Sequence, residues 1–174
     1  MEWFVGVADV EREYRQDRYD LEAARRGLGF KQRNMGPIDS KRRLWVEDSV
    51  NLASGMTGNI EDWLKITPSV VASDQILEDR HVEVHKDIYT RRYGLDGEAG
   101  PGCEVELASI RMNQVTAWSL CFETFGVPGR RDEALSTGVR RFLSDSPLPA
   151  GIRFDAATSL AYPAWISRMC LEPA

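Results

Sequence analysis

From residue 28 onward the chain alternates between strand-like apolar runs and punctuation by Gly, Pro, Asn and Asp. In an extended chain residues i and i+2 share a face, so such runs predict strands. Residues 28–33 and 38–46 flank Asn34-Met-Gly-Pro37, whose residue types suit a tight hairpin turn. Residues 48–59 read as a loop and 60–66 as a strand ended by Pro68, leaving 69–80 for a short helix. Residues 81–93 form a long alternating strand, 96–102 a turn, 103–111 the next strand, and Asn113-Gln114 the turn into 115–125. Several strands joined by short turns predict an antiparallel meander or barrel.

The two ends read differently. Residues 3–7 make a short β-prone run. Between 9 and 26, Glu11 with Arg15 and Glu22 with Arg26 pair at helical spacing, and Gly27 would end a helix. Val10, Tyr14 and Leu21 nevertheless make too thin an apolar stripe for one long helix. The segment therefore divides into a turn or short helix and an extended 17–21. Near the other end, Leu135, Val139, Phe142 and Leu143 recur at helical spacing and predict a helix over 132–143 packed on the sheet. Asp132 suits its N-terminal dipole. Ser146-Pro-Leu-Pro149 breaks it, and Tyr162-Pro-Ala-Trp-Ile166 begins a last short apolar element. The predicted class is mainly β of the α+β type: an antiparallel barrel or tunnel from about residue 3 to residue 125, with C-terminal helices against it. One domain is expected over residues 1–174.

Composition changes this picture little. Hydrophobic content of 43% with 28% charged residues describes an ordinary folded protein. The net charge of −5 argues against nucleic acid or an acidic membrane as partner, while leaving room for a local basic cavity. No apolar run approaches membrane-spanning length, and the first residues lack the pattern of a signal peptide, so a cytoplasmic location is expected. Cys103, Cys121 and Cys170 are widely spaced and read as reduced, buried thiols. His81 and His85 have a metal spacing only on a helix, and their segment reads as a strand.

The candidate chemistry lies in charges at two-residue spacing. Glu104 and Glu106 would share a strand face, as would Lys31 with Arg33 and Lys41 with Arg43. With Lys65 and Lys86 they would line a polar interior suited to a polyanion and its divalent counter-ion. Each pair alone also fits a solvated strand face.

Asp17-Arg-Tyr-Asp20, Leu28-Gly-Phe-Lys-Gln-Arg33 and Ile38-Asp-Ser-Lys41 resemble the early strands of the CYTH superfamily, which contains class IV adenylate cyclases, thiamine triphosphatases and inorganic triphosphatases. His85-Lys86 through Arg91-Arg92 is similar to its basic middle strand. Cys103-Glu-Val-Glu-Leu107 followed by Trp118-Ser-Leu-Cys-Phe-Glu123 is similar to its acidic strand and the one after. Tyr162-Pro-Ala-Trp165 is similar to a closing motif of some members. The resemblance implies a closed antiparallel tunnel in which Lys31, Arg33, Lys41, Lys65, Lys86 and Arg92 hold a triphosphate. Glu104 and Glu106, with Glu123 and Glu2, would hold Mg²⁺ or Mn²⁺, as hard divalent ions take oxygen ligands. The family's first strand, Glu-x-Glu-x-Lys, is matched only in spacing, by Glu11-Arg-Glu-Tyr-Arg15, two residues before Asp17 and with Arg for Lys.

The implied function is a divalent-metal-dependent phosphohydrolase acting on a small triphosphate, nucleotide or polyphosphate. One alternative is a catalytically inactive polyanion-binding module of the same fold. The other is a lipocalin-like barrel with an apolar interior. Whether Glu2, or Glu11 with Glu13, reaches the Glu104 face separates the first two.

Overall fold

The structure, a computed structural model, describes residues 2–5, 9–53, 55–66, 81–97, 100–126 and 128–171, with Glu2, Val5 and Leu171 as backbone alone. The helix expected at 69–80 lies outside the described residues. Helix α1 (Glu2–Val5) opens the chain. Strand β1 (Glu11–Asp20) and the short helix α2 (Leu21–Arg25) follow, then β2 (Leu28–Arg33), β3 (Ile38–Ala53), β4 (Met56–Ile66), β5 (His81–Gly94), β6 (Gly102–Met112) and β7 (Val115–Phe125). Helices α3 (Arg131–Asp145) and α4 (Tyr162–Leu171) complete it.

The seven strands form one antiparallel sheet in the order β4-β3-β2-β1-β5-β6-β7, curled into a half-barrel. Local chemistry sets its corners. Asn34 and Met35 both take positive φ in the β2–β3 turn, and Gly36 N–H donates to the Arg33 carbonyl at 2.7 Å. Two such residues match the right-handed twist of a hairpin. Asp20 caps α2 by accepting from Ala23 N–H at 2.7 Å, and Gly27, at φ +71°, turns the chain into β2.

The two sheet faces are covered differently. On the convex face Tyr89, Tyr93, Cys103, Val105 and Leu107 are buried against Phe4 and Phe142. Helix α3 turns Ala134, Gly138, Val139 and Phe142 inward, with Leu135 and Leu143 at the margin. A side chain at Gly138 would collide with Cys103, so the missing Cβ lets α3 lie close on β6. On the concave face α4 fills one end of the hollow: Ile166, Tyr162 and Trp165 pack on Tyr19, Val84, Ile88, Ala108, Ile110 and Met112. Residues 154–159 run beside the β4 edge, with Thr57 N–H donating to the Phe154 carbonyl at 2.9 Å and Asn59 N–H to Ser159 Oγ at 2.8 Å.

Several expectations are corrected. The run at 3–7 is helical at Glu2–Val5, where Phe4 and Trp3 serve the α3 core better as a helical turn. Strand β1 is extended from Glu11, and its neighbouring helix follows it rather than preceding it. The loop expected at 48–59 is mostly strand, because β3 and β4 continue as a hairpin through shifts in register near Glu47, Val50 and Asn51. Of the three cysteines only Cys103 is buried, with its thiol pushed up to about 12 by burial.

Candidate functional site

Register assigns the charged side chains to faces. β1 pairs with β5 so that Glu11, Glu13, Arg15 and Asp17 stand opposite Thr90, Ile88, Lys86 and Val84. β5 pairs with β6 so that Thr90 faces Glu106 and Arg92 faces Glu104, and β6 with β7 so that Glu104 faces Glu123. On the other side Asp17 faces Arg33, Tyr19 faces Lys31, Lys31 faces Asp39, and Lys41 faces Lys65. Cross-strand partners share a face. The concave face therefore carries Lys31, Arg33, Lys41, Lys65, Lys86 and Arg92 together with Glu104, Glu106 and Glu123. Glu11 and Glu13 stand on it as well. The side chain of Glu2 lies outside the described residues.

The register brings these residues to one face without giving them equal access. Lys86 is 2% exposed and is spent internally. Its ammonium donates to Asp17 Oδ2 at 2.9 Å and Tyr19 Oη at 2.8 Å, and lies 3.5 Å from the centre of the Tyr162 ring. Lys31 donates to the same Oδ2 at 3.3 Å, and Arg33 Nε stands 3.8 Å from Oδ1. Asp17 is thus a fully buried carboxylate braced by three cations. Burial pushes its carboxyl up, but Lys86 and Lys31 outweigh that and hold it below the ordinary aspartate value. Burial also lowers Lys86, to about 8, with Lys31 adding to the effect and Asp17 opposing it. The side chains of Arg33, Lys41, Lys65 and Arg92 stay exposed by more than a third, although the Arg33 Nε itself is buried.

Glu13, Glu104, Glu106 and Glu123 are each engaged by a cation or hydroxyl. Arg15 bonds Glu13 at 2.5 Å and approaches Glu106 to 3.9 Å; this contact holds the Glu13 carboxyl below its ordinary value. Tyr162 Oη donates to Glu106 Oε1 at 3.2 Å, which ties α4 to the acidic strand. Arg92 Nε donates to Glu104 at 2.8 Å, and Lys41 lies 3.7 Å from Glu123 across the hollow between β3 and β7. Oxygen donors are the right class for Mg²⁺ or Mn²⁺. Among the described residues, however, no three carboxylate, imidazole or thiol groups converge as a metal site. As they stand, the candidate ligands do not converge on one point, each being drawn to its own partner: Glu106 to Tyr162 and Arg15, Glu104 to Arg92, and Glu123 to Lys41. His85 is held by Tyr14 at 2.7 Å and Glu83 at 2.8 Å.

Two participants, Asp17 and Arg15, have no role of their own in the sequence pattern, while a third, Glu61, reads there as a cross-strand charge pairing beside the aromatic Trp63. Asp17 appeared only as part of a motif, yet it organises Lys31, Arg33 and Lys86. Arg15 takes the place between the acidic pairs of β1 and β6. Glu61 joins Arg43 and Trp63, accepting from Arg43 Nη1 at 3.4 Å and from Trp63 Nε1 at 2.8 Å. Among the described residues, the apolar interior expected of a lipocalin-like barrel is present where α4 fills the hollow and not along the row of lysines and glutamates. No helix among the described residues is long and apolar enough to cross a membrane. No protein-family model matches the chain, and no curated protein matches it.

Proposed function

We propose that the concave face binds a small polyanion of linked phosphates, of the triphosphate class. The observation that carries this is the direct opposition of Lys41 and Lys65 on neighbouring strands, with Arg33 and Lys31 on the next strand over. Like charges placed directly across a sheet are destabilising, and Asp39 and Glu123 only partly offset them, at 3.1 and 3.7 Å. A chain of phosphates supplies several negative charges at the spacing of such a row, and charge-assisted bonds to lysine and arginine are strong. Asp17 supports the same reading: it holds Lys31 and Arg33 in place before any ligand arrives.

Calorimetric titration with inorganic triphosphate tests the proposal. Binding is expected without added metal, weakening about tenfold or more in Arg33→Ala and Lys41→Ala and weakening with salt. Wild-type protein that gives no heat of binding at low salt would refute it.

Divalent-metal-dependent hydrolysis of such a ligand is the second reading. It is favoured by the acidic pair Glu11 and Glu13 of β1 standing on the same face as Glu104 and Glu106, with only β5 between. It requires Arg15 and Arg92 to leave their carboxylates. Phosphate release from triphosphate in the presence of Mg²⁺ or Mn²⁺, lost in Glu106→Gln, is its test.

A further inference from the structure

A cleft of about 460 Å³ opens between α2, α4 and the β3–β4 hairpin. This is within the range of small-molecule sites. Its walls differ from the lysine row in kind. Ala24 and Gly27 on one side and Pro163 and Ala164 on the other present small side chains, which leave a smooth apolar slot. Trp63 forms one wall, and Arg25, Arg43 and Arg168 are the charged residues that line it. Among the described residues no carboxylate lines the cleft, although the chain is acidic overall.

The aromatic wall is held in position. Glu61 Oε2 accepts from Trp63 Nε1 at 2.8 Å while Glu61 Oε1 takes Arg43 Nη1 at 3.4 Å, so one largely buried carboxylate orients both groups. Gly27, in the left-handed region at φ +71°, brings the end of α2 to the Arg43 guanidinium without a side chain between. Arg25 is steadied by Glu22 at 2.7 Å on its own helix. An apolar slot with a fixed indole favours a flat ring, and guanidinium groups at its margin favour a planar or tetrahedral oxyanion.

We propose that this cleft is a binding site for a flat aromatic small molecule carrying one anionic group, with its ring against Trp63 and its phosphate or carboxylate on Arg25 and Arg43. The site goes beyond the polyanion reading and does not depend on it, since inorganic triphosphate has no ring to place there.

The test uses the full chain and four probes. Adenosine monophosphate and 1-naphthoate each carry ring and anion. Adenosine lacks the anion, and inorganic phosphate lacks the ring. Calorimetry and saturation-transfer NMR should show at least one aromatic anion bound, with both controls about tenfold or more weaker. Which of the two aromatic anions binds distinguishes phosphate from carboxylate recognition. Trp63→Ala should weaken that ligand about tenfold. Ala164→Leu, which fills the slot without touching a charge, should do the same while leaving inorganic triphosphate affinity within about twofold of wild type. The proposal is overturned if neither aromatic anion binds the wild-type protein, or if both variants bind it as wild type does. Failure of triphosphate to bind wild type would count against the concave-face reading alone and leave the cleft result standing.

Discussion

Strand β6 carries two chemistries on alternate residues. Toward α3 it presents Cys103, Val105 and Leu107, all buried. Toward the hollow it presents Glu104 and Glu106, engaged by Arg92 and by Tyr162 with Arg15. Strand β5 repeats the contrast, with Tyr89 and Tyr93 outward and Lys86 and Arg92 inward. The convex face gains its stability from apolar burial under α3, which is non-directional and tolerant of sequence. The concave face carries charges that must be paired one by one, and Asp17 with Lys86 is a fully buried pair among them, where desolvation opposes the attraction. On the proposed reading the hollow is the place for a ligand, and the α3 face is the scaffold beneath it.

The largest expected effect breaks the scaffold. Phe142 is fully buried and contacts the rings of Phe4, Trp3 and Phe122. Phe142→Ala should cost about 4 kcal/mol in urea unfolding, while the fraction still folded binds triphosphate with wild-type affinity. A large affinity change would mean that the two faces are not separable.

Next comes the buried charge cluster. Asp17→Ala leaves Lys86 and Lys31 without their shared anion and should cost about 3 kcal/mol. Adding Lys86→Met should recover part of that loss, because the stranded ammonium is then gone. A double variant less stable than Asp17→Ala would show that Lys86 is held by something other than this pairing.

A smaller effect follows from pH. Lys86 titrates near 8 when folded, against about 10.4 for an ordinary lysine. Below pH 8 it is charged in both states and its burial cost is present in full. Between about pH 8 and 10.4 the unfolded chain holds the extra proton on this residue, so the Lys86 contribution to stability should rise with pH, by on the order of 2–3 kcal/mol. Asp17 acts at the other end: its depressed carboxyl adds stability above the ordinary aspartate value, lost as pH falls through the folded one. The buried Cys103 thiol takes stability away over the same range in both proteins, so the urea midpoint of wild type relative to Lys86→Met should rise from pH 7 to 10; a constant difference would contradict the assignment.

These same residues mark where the sequence was legible. Strand β7 could be read to its ends because Asn113-Gln114 punctuates it and its pattern has period two. The alternation of Glu104 and Glu106 with Val105 and Leu107 could be read for the same reason. Strand β1 could not, because both of its faces are polar over residues 11–16, so no apolar alternation betrays it. Glu11 and Arg15 also imitate a helical ion pair, and only pairing with β5 from Glu11 to Asp20 settles the conformation. The polar far end of the β3–β4 hairpin was hidden in the same way. The burial of Lys86 and the bracing of Glu106 have no local signal at all, since Tyr162 on α4 supplies part of each from a distant part of the chain. Charge at period two located the face; only the long-range docking of α4 decided which of its residues remain open.

Backbone amide shifts during titration with inorganic triphosphate test the division between the faces most directly. Shifts concentrated at Lys31, Arg33, Lys41 and Lys65, with Val139 and Phe142 unmoved, are what the account predicts. Saturable shifts centred on α3, or no shifts anywhere at ligand excess and low salt, would contradict it.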